Sequence, residues 1–130
     1  MANTVVHFSV YADEPERLIR FYGDVFGWRF EPWGPPGYWR VFTGDGPGLT
    51  HGALSQRTSP RAEGTPNAFR CTLTVADFDA ATTAIEAHGG TLQPPAADIP
   101  GVGKVIEFLD PEGNLACVMR YVEGNPYAVT

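Results

Sequence analysis

The sequence has little positive charge, few cysteines and no long apolar run, and each absence excludes a class of protein. The chain has nine Lys and Arg residues and 15 Asp and Glu residues, which gives a net charge of −6. Nucleic acid and anionic membrane surfaces both require a basic face, so this charge balance argues against either partner. No apolar run approaches the roughly 18 residues of a membrane-spanning helix.

The two cysteines, Cys71 and Cys117, are too few for a disulfide scaffold and fit a reducing compartment. The opening stretch MANTVVHFSV lacks the basic region and the long apolar segment of a signal peptide. These features predict a cytoplasmic protein with free thiols. A chain of 130 residues is long enough for one domain with its own core, so we expect a single domain over 1–130.

The first half of the chain has the pattern of one strand, one helix and three further strands. Residues 5–11 alternate between apolar and polar side chains, as in a half-buried strand. Helical spacing follows near 14–26, where Asp13 and Glu16 resemble a capping box, Pro15 fits the first turn and Gly27 ends the helix. Three short strands are predicted at WRFEPW (28–33), YWRVFTG (38–44) and LTHGALSQR (49–57).

The second half repeats this order. Residues 68–75 alternate, Asp77 is a suitable N-cap for a helix near 77–88, and Gly89 ends that helix. Strands follow at TLQPPAAD, GKVIEFL and LACVMRY. The last two are joined by DPEGN (110–114), whose Asp, Pro and Gly suit the first, second and fourth positions of a type I turn.

The two halves align at a constant offset, which places His7 on Arg70 and Tyr22 on Ile85. Such an internal repeat indicates two tandem βαβββ modules and an α+β fold. We expect module one at 1–60, a polar linker rich in Pro and Gly at 57–67, and module two at 67–125. The polar face of the first strand in each module is expected to line a concavity or to face solvent.

The segments VVHFSVYADEPERLIRFYGDVFGW, VADFDAATTAIEAHGG and FLDPEGNLACVMRY resemble the vicinal oxygen chelate superfamily of glyoxalases, extradiol dioxygenases and bleomycin resistance-like proteins. The resemblance implies that the two modules form a curved mixed sheet around a central cleft. It also implies a homodimer, because family members of this length are commonly dimers. This fold carries metal enzymes and metal-free binders alike, so the site must decide the function.

In metal-dependent members of that superfamily, the first and fourth strands of each module supply the ligands, usually His, Glu or Gln, His and Glu. His7 matches the first of these positions. The matching position in the first strand of module two holds Arg70. The fourth strand of module one offers Gly52 or Ala53, depending on register, and the fourth strand of module two has Cys117 where a glutamate is expected. Arginine cannot ligate a metal, and Gly and Ala have no donor atom. We therefore expect no catalytic metal and no other cofactor.

A reduced metal site is the alternative. His51 lies one or two positions from an expected ligand, and a set of His7, His51 and Cys117 would suit zinc, with iron or manganese as further candidates. Each residue also has a structural interpretation. His7 fits a polar wall or a hydrogen-bonded buried imidazole, and Cys117 fits a small core side chain.

The resemblance places His7, Arg70 and Cys117 on one concave face, where Arg70 would bind a carboxylate, phosphate or enolate oxygen. A salt bridge from Arg70 to Glu107 is the competing interpretation. Trp33 and Trp39 belong to an aromatic group over 28–42 that would stack a planar ligand, or would serve as core or dimer contact.

Three functions remain open from the sequence. The first is a metal-independent binder of a small planar or anionic compound, which uses His7, Arg70, Cys117, Trp33, Trp39 and Glu107. The second is a glyoxalase-type lyase or isomerase, or a dioxygenase, with a reduced metal site. The third is a structural or regulatory domain without a ligand.

Overall fold

The computed structural model describes residues 3–58 and 69–129. The chain divides into two compact units, one of His7–Phe69 and one of the residues up to Val6 with those from Arg70 onward. We call these the first and the second module. Most of the predicted linker at 57–67 lies outside the described residues. The module boundaries within one domain stay a prediction.

Each module contains four strands and one helix, in the order predicted from the repeat, if β1 is counted with the first module, which holds all but its first two residues. The elements are β1 (Val5–Ala12), α1 (Pro15–Phe26), β2 (Arg29–Pro32), β3 (Tyr38–Phe42), β4 (His51–Gln56), β5 (Arg70–Thr74), α2 (Phe78–Ala87), β6 (Thr91–Ile99), β7 (Gly103–Leu109) and β8 (Leu115–Tyr121). The α+β class and the βαβββ repeat are therefore confirmed. Within the described part of the chain, neither helix is long and apolar enough to cross a membrane.

The first module is a mixed sheet with the strand order β2-β3-β4-β1. Strand β1 runs parallel to β4, and the other neighbours are antiparallel. Because side chains alternate along a strand, one face of this sheet is apolar and packs against α1. The core of this face consists of Val10, Ala12, Val41 and Leu54, with Phe8, Leu18, Ile19, Trp28, Phe30 and Trp39 packed around it.

Helix α1 begins without the capping box that the sequence predicts. Its N-cap is Glu14, whose side chain makes no capping hydrogen bond. The carboxylate of Asp13 instead accepts a hydrogen bond from Nε of Arg57, over 3.0 Å. The Asp13 side chain is therefore engaged by Arg57, and it does not cap the first turn of the helix. Pro15 in the first turn and Gly27 in the left-handed region, with φ of 73°, are as predicted.

A glycine allows β1 and β4 to approach closely on the apolar face. Gly52 pairs with Phe8 in the parallel register. A Cβ atom at Gly52 would lie 2.5 Å from the carbonyl oxygen of Phe8 and 2.7 Å from its ring. Gly52 therefore belongs to the helix side of the sheet, and its neighbour Ala53 belongs to the polar side.

The second module repeats the arrangement with the strand order β5-β8-β7-β6. Strand β5 runs parallel to β8, and β7 is antiparallel to both of its neighbours. The predicted N-cap of α2 is confirmed, since Asp77 accepts a hydrogen bond from the N–H of Ala80 over 3.0 Å. The core between α2 and the sheet consists of Val75, Phe78, Ile106 and Val118, with Leu73, Ala81, Ile85, Leu92 and Phe108 packed around it.

The predicted turn at 110–114 connects β7 to β8. The N–H of Gly113 donates to the carbonyl oxygen of Asp110 over 2.9 Å, which closes the turn. The Asp110 carboxylate accepts hydrogen bonds from the N–H groups of Glu112 and Asn114, each over 2.9 Å. Gly113 has a φ of 83°, which glycine adopts without strain. This turn sets the register in which β8 lies beside β7.

Candidate functional site

Four side chains lie together on the polar face of the second module, those of Arg70, Thr72, Glu107 and Cys117. Thr72 on β5 is the register partner of Cys117 on β8, and Cys117 is in turn the partner of Glu107 on β7. Arg70 lies two residues before Thr72, so its side chain is on the same face. The opposite face packs against α2. Arg70 and Cys117, which the resemblance places in one site, do share a face of this module.

An ion pair spans this face. Nη1 of Arg70 donates to a carboxylate oxygen of Glu107. The two residues lie on the strands that flank β8, so the pair passes over that strand. The Arg70 side chain is 25% exposed and that of Glu107 is 42% exposed. The salt bridge that was one of two interpretations of Arg70 is present, and both side chains are partly exposed.

Cys117 lies beneath this pair and is held as a neutral thiol. It is 2% exposed, and burial raises the pKa of its thiol above the ordinary value of 9.0. The Arg70 charge and a hydrogen bond with Thr72 lower that pKa in part, while the Glu107 charge raises it. Because the thiolate is the nucleophilic form, a buried thiol with a raised pKa is poorly suited to act as a nucleophile at neutral pH.

The polar face of the first module holds both histidines of the sheet. His7 on β1 and His51 on β4 are register partners in adjacent parallel strands. Ser9 and Ala53 form the next pair, and Arg40 on β3 lies opposite Ala53. The register therefore puts Ala53, a residue without a donor atom, on the polar face two residues after His51.

The hydrogen bond made by His51 restricts its chemistry. Its Nδ1 accepts the backbone N–H of Thr43 over 3.1 Å. An accepting Nδ1 carries no proton, so the neutral ring carries its proton on Nε2. Nε2 is then a donor and has no lone pair for a metal ion. Metal binding through Nε2 of His51 would require the loss of the Thr43 bond.

These donors do not fit the divalent metal that the resemblance implies. At the positions where the resemblance predicts metal ligands, Arg70 is a permanent cation and Ala53 has no ligand atom. Among residues 3–58 and 69–129, no three His, Cys, Asp or Glu side chains gather into a group that could hold a metal ion. The expectation that His7 converges with Arg70 and Cys117 stays a prediction.

The two candidate tryptophans lie in different surroundings. Trp39 packs against the core of the first module, on the helix side of the sheet. Trp33 is 41% exposed, with the Tyr38 ring centroid 5.6 Å away. The guanidinium of Arg40 lies 4.9 Å from the centroid of the Trp33 ring. Sequence reasoning missed Arg40, although the alternation along β3 places it on the polar face with Tyr38.

The first module also has an open cavity of about 690 Å³ beside the start of α1, which sequence reasoning missed. Arg57 is anchored at this cavity by Asp13 and by a bond of 3.2 Å to the carbonyl oxygen of Tyr11. The cavity is lined by Tyr11, Ala12, Asp13, Glu14, Arg17, Leu18, Phe21 and Arg57. Two acidic and two basic residues thus surround a partly apolar floor.

Solved structures with the same fold have low sequence identity to this chain. A hypothetical protein from Bacillus halodurans C-125 is 13% identical with a TM-score of 0.68, over 96% of this chain and 99% of that chain. The Mn(II)-bound glyoxalase from Novosphingobium aromaticivorans is 19% identical with a TM-score of 0.64, over 90% of this chain and 38% of that chain. Comparison with the curated proteins found no match.

A third structure is a single-residue variant of methylmalonyl-CoA epimerase from Streptomyces coelicolor, in complex with 2-nitronate-propionyl-CoA. It is 16% identical with a TM-score of 0.62, over 88% of this chain and 94% of that chain. At such identities these likenesses show the fold alone. The family model described as Glyoxalase/Bleomycin resistance protein/Dioxygenase superfamily matches residues 4–118. The match spans both βαβββ modules, and the chain belongs to this superfamily.

Proposed function

We propose that this protein binds a small, partly planar, anionic or enolisable compound without a catalytic metal, and that Arg70 anchors the anionic group. The observation that carries the proposal is the Arg70–Glu107 ion pair. The pair supports the proposal because it holds a partly exposed cation, and the resemblance predicts a metal ligand at the position of Arg70. The site thereby keeps a positive charge for an oxyanion while it lacks metal donors.

The geometry of the pair suits exchange with a ligand. A guanidinium has five N–H donors, and the contact with Glu107 uses one of its terminal nitrogens. Glu107 is 42% exposed, so its carboxylate can turn to solvent when a ligand carboxylate or phosphate takes its place. Thr72 and Cys117 form the floor beneath the ligand.

The remaining candidate residues, His7, Trp33 and Trp39, lie in the first module, and their part in binding stays a prediction. Trp39 supports β3 from the core side. We further propose that the protein is a cytoplasmic homodimer without a nucleic-acid or membrane partner, in keeping with its net charge of −6.

The test is a melting-shift screen of carboxylates, phosphates, phenols and cationic drugs against wild type, Arg70→Ala and Arg20→Ala. A compound that binds only the native state must raise the melting temperature. Arg20 is an exposed arginine of α1, so Arg20→Ala is a control for the loss of one positive charge.

We expect anionic compounds to stabilise wild type and Arg20→Ala but not Arg70→Ala. Shifts by cationic compounds alone, or anionic shifts that survive in Arg70→Ala, would contradict the anchor role. The absence of any shift would favour a structural or regulatory domain. A shift that requires added zinc, iron or manganese would favour the metal-dependent lyase, isomerase or dioxygenase.

A further inference from the structure

Two arginines stack on aromatic rings at the β2–β3 hairpin of the first module. The Arg40 guanidinium lies 4.9 Å from the centroid of the Trp33 ring, and that of Arg29 lies 4.3 Å from the centroid of the Phe42 ring. Arg29 and Phe42 are register partners, as are Glu31 and Arg40, so these side chains share the polar face. Stacking on a ring fixes the plane of a guanidinium and leaves its N–H edge open.

The two arginines differ in their charge partners. Arg29 forms an ion pair with Glu31. Arg40 is exposed, and within the described ranges no ion pair involves it, although Glu31 lies opposite on β2. The hairpin therefore presents one stacked guanidinium whose charge is not neutralised by a direct ion pair. Such a guanidinium is unusual in this chain, which has nine cationic and 15 acidic residues. Most of the remaining described arginines form ion pairs with acidic side chains.

Aromatic surface lies next to this charge. Trp33 is 41% exposed, and the half-buried Tyr38 ring lies 5.6 Å from it. Both belong to the polar face, while Trp39 between Tyr38 and Arg40 points to the core. A planar ring bearing an oxyanion would contact the tryptophan edge while its carboxylate or phosphate accepts from the Arg40 N–H groups.

We propose that Arg40, Trp33 and Tyr38 form a second binding site, for a planar aromatic ring that carries a carboxylate or a phosphate. The site uses side chains of the first module alone, so it does not rest on the anchor role of Arg70. Glu31 limits its affinity, because a bound oxyanion lies near a like charge. Binding is therefore stronger when Glu31 is neutralised and weaker when salt screens Arg40.

The experiment follows the Trp33 indole N–H in ¹H–¹⁵N spectra at about 50 mM salt, low enough that screening is weak. The Trp33 signal is the indole signal that disappears in Trp33→Phe. Benzoate and phenyl phosphate are the probes, inorganic phosphate tests the contribution of the ring, and benzyl alcohol tests the contribution of the charge. The variants are Arg40→Ala, Glu31→Gln, Arg70→Ala and the control Arg20→Ala, each first checked for a native, dispersed spectrum.

We expect saturable shifts of the Trp33 signal with benzoate or phenyl phosphate in wild type, Arg20→Ala and Arg70→Ala. Arg40→Ala should weaken binding by about tenfold or more, the usual cost of losing a hydrogen bond to a charged group. Glu31→Gln should strengthen it by about two- to fivefold, the scale of an exposed charge interaction.

Four results would overturn the site. They are no saturation in wild type, equal binding by Arg40→Ala, equal binding of benzyl alcohol, or inorganic phosphate binding as tightly as phenyl phosphate. Loss of the Trp33 response in Arg70→Ala would show that the probe reports on the other site, and would also overturn the proposal. A melting shift that depends on Arg70, without any Trp33 response, would support the proposed function and refute this inference.

Discussion

Arg70 and Glu107 form an ion pair that passes over strand β8 and covers the buried thiol of Cys117. The resemblance to the superfamily predicts metal ligands at the positions of Arg70 and Cys117. One of these positions holds a permanent cation and the other a buried thiol with a raised pKa.

Neutralising Glu107 should affect binding more than stability. The pair is partly exposed, at 25% and 42%, so screening by solvent limits its contribution to roughly 0–1 kcal/mol. Glu107→Gln should therefore lower the free energy of unfolding by less than about 1 kcal/mol in urea titrations. The same variant should bind anionic ligands more tightly, because Arg70 no longer has a competing carboxylate. A weaker affinity than wild type would show that Glu107 itself contacts the ligand.

The two cysteines should differ in reactivity. Cys117 is 2% exposed with a pKa raised by burial, whereas Cys71 is only half-buried. In native protein at about pH 8, close to the usual thiol pKa, a thiol reagent should modify Cys71 and leave Cys117 unmodified until the protein unfolds. Mass spectrometry of labelled peptides identifies the modified residue. Rapid native labelling of Cys117 would show that this face opens readily.

The Cys117 thiol should also make stability fall at alkaline pH. The raised pKa means that the native state keeps the proton at pH values where the unfolded thiol has lost it. Stability is therefore fully present below the unfolded value of 9.0 and is lost as pH rises from there towards the native pKa. Urea titrations between about pH 8 and 10.5 should show a steeper decline for wild type than for Cys117→Ala. Equal slopes would contradict the role of burial.

A pair of glycine substitutions tests the close approach of β1 and β4. Gly52→Ala places a Cβ 2.5 Å from the Phe8 carbonyl oxygen, so it should destabilise the protein by roughly 1–3 kcal/mol through overpacking. Gly23→Ala in α1 meets only the Trp28 oxygen at 3.6 Å and should stabilise by about 0.5–1 kcal/mol through helix propensity. Chemical unfolding measures both. A neutral Gly52→Ala would mean that the strands can separate at this point.

The turn at 110–114 should contribute to acid sensitivity. Hydrogen bonds from the Asn114 side chain, and then from the backbone N–H of Asn114, hold the pKa of Asp110 below its ordinary value. A depressed carboxyl pKa contributes stability above the unfolded value of 3.8, and that stability is lost as pH falls through the native pKa. Asp110→Asn should therefore lower the melting temperature at neutral pH and reduce its fall towards about pH 2.5. Asp45→Asn, in an exposed loop, is the control and should change neither.

The order of the elements could be predicted because the period of the apolar residues changes sharply between strand and helix in both halves. The N-cap at Asp77 was predictable because its partner, Ala80, is three residues away. The cap expected at Asp13 was wrong because Arg57, which binds that carboxylate, is 44 residues distant in sequence. Local patterns cannot show such a competitor.

The sequence predicted only those parts of the candidate site that follow from the alternation of apolar and polar residues along a strand. Arg70 and Cys117 share a face because each lies on the polar side of its own strand. The sequence alone did not show which face of the sheet carries Glu107. That face follows from the pairing of β7 with β8, which depends on the geometry of the Asp110 turn. The stacking of Arg40 on Trp33 depends on the β2–β3 register and had no signal beyond the alternation along β3.

If an arginine-anchored anion site stands where metal-dependent relatives hold a metal ion, the purified protein should contain little transition metal. Protein expressed in medium supplemented with zinc, iron and manganese, and purified without chelators, is analysed for metal by elemental analysis. We expect well under one transition metal per chain, with anion-induced melting shifts that persist after treatment with EDTA. About one zinc, iron or manganese per chain, with shifts abolished by EDTA and restored by that metal, would contradict it.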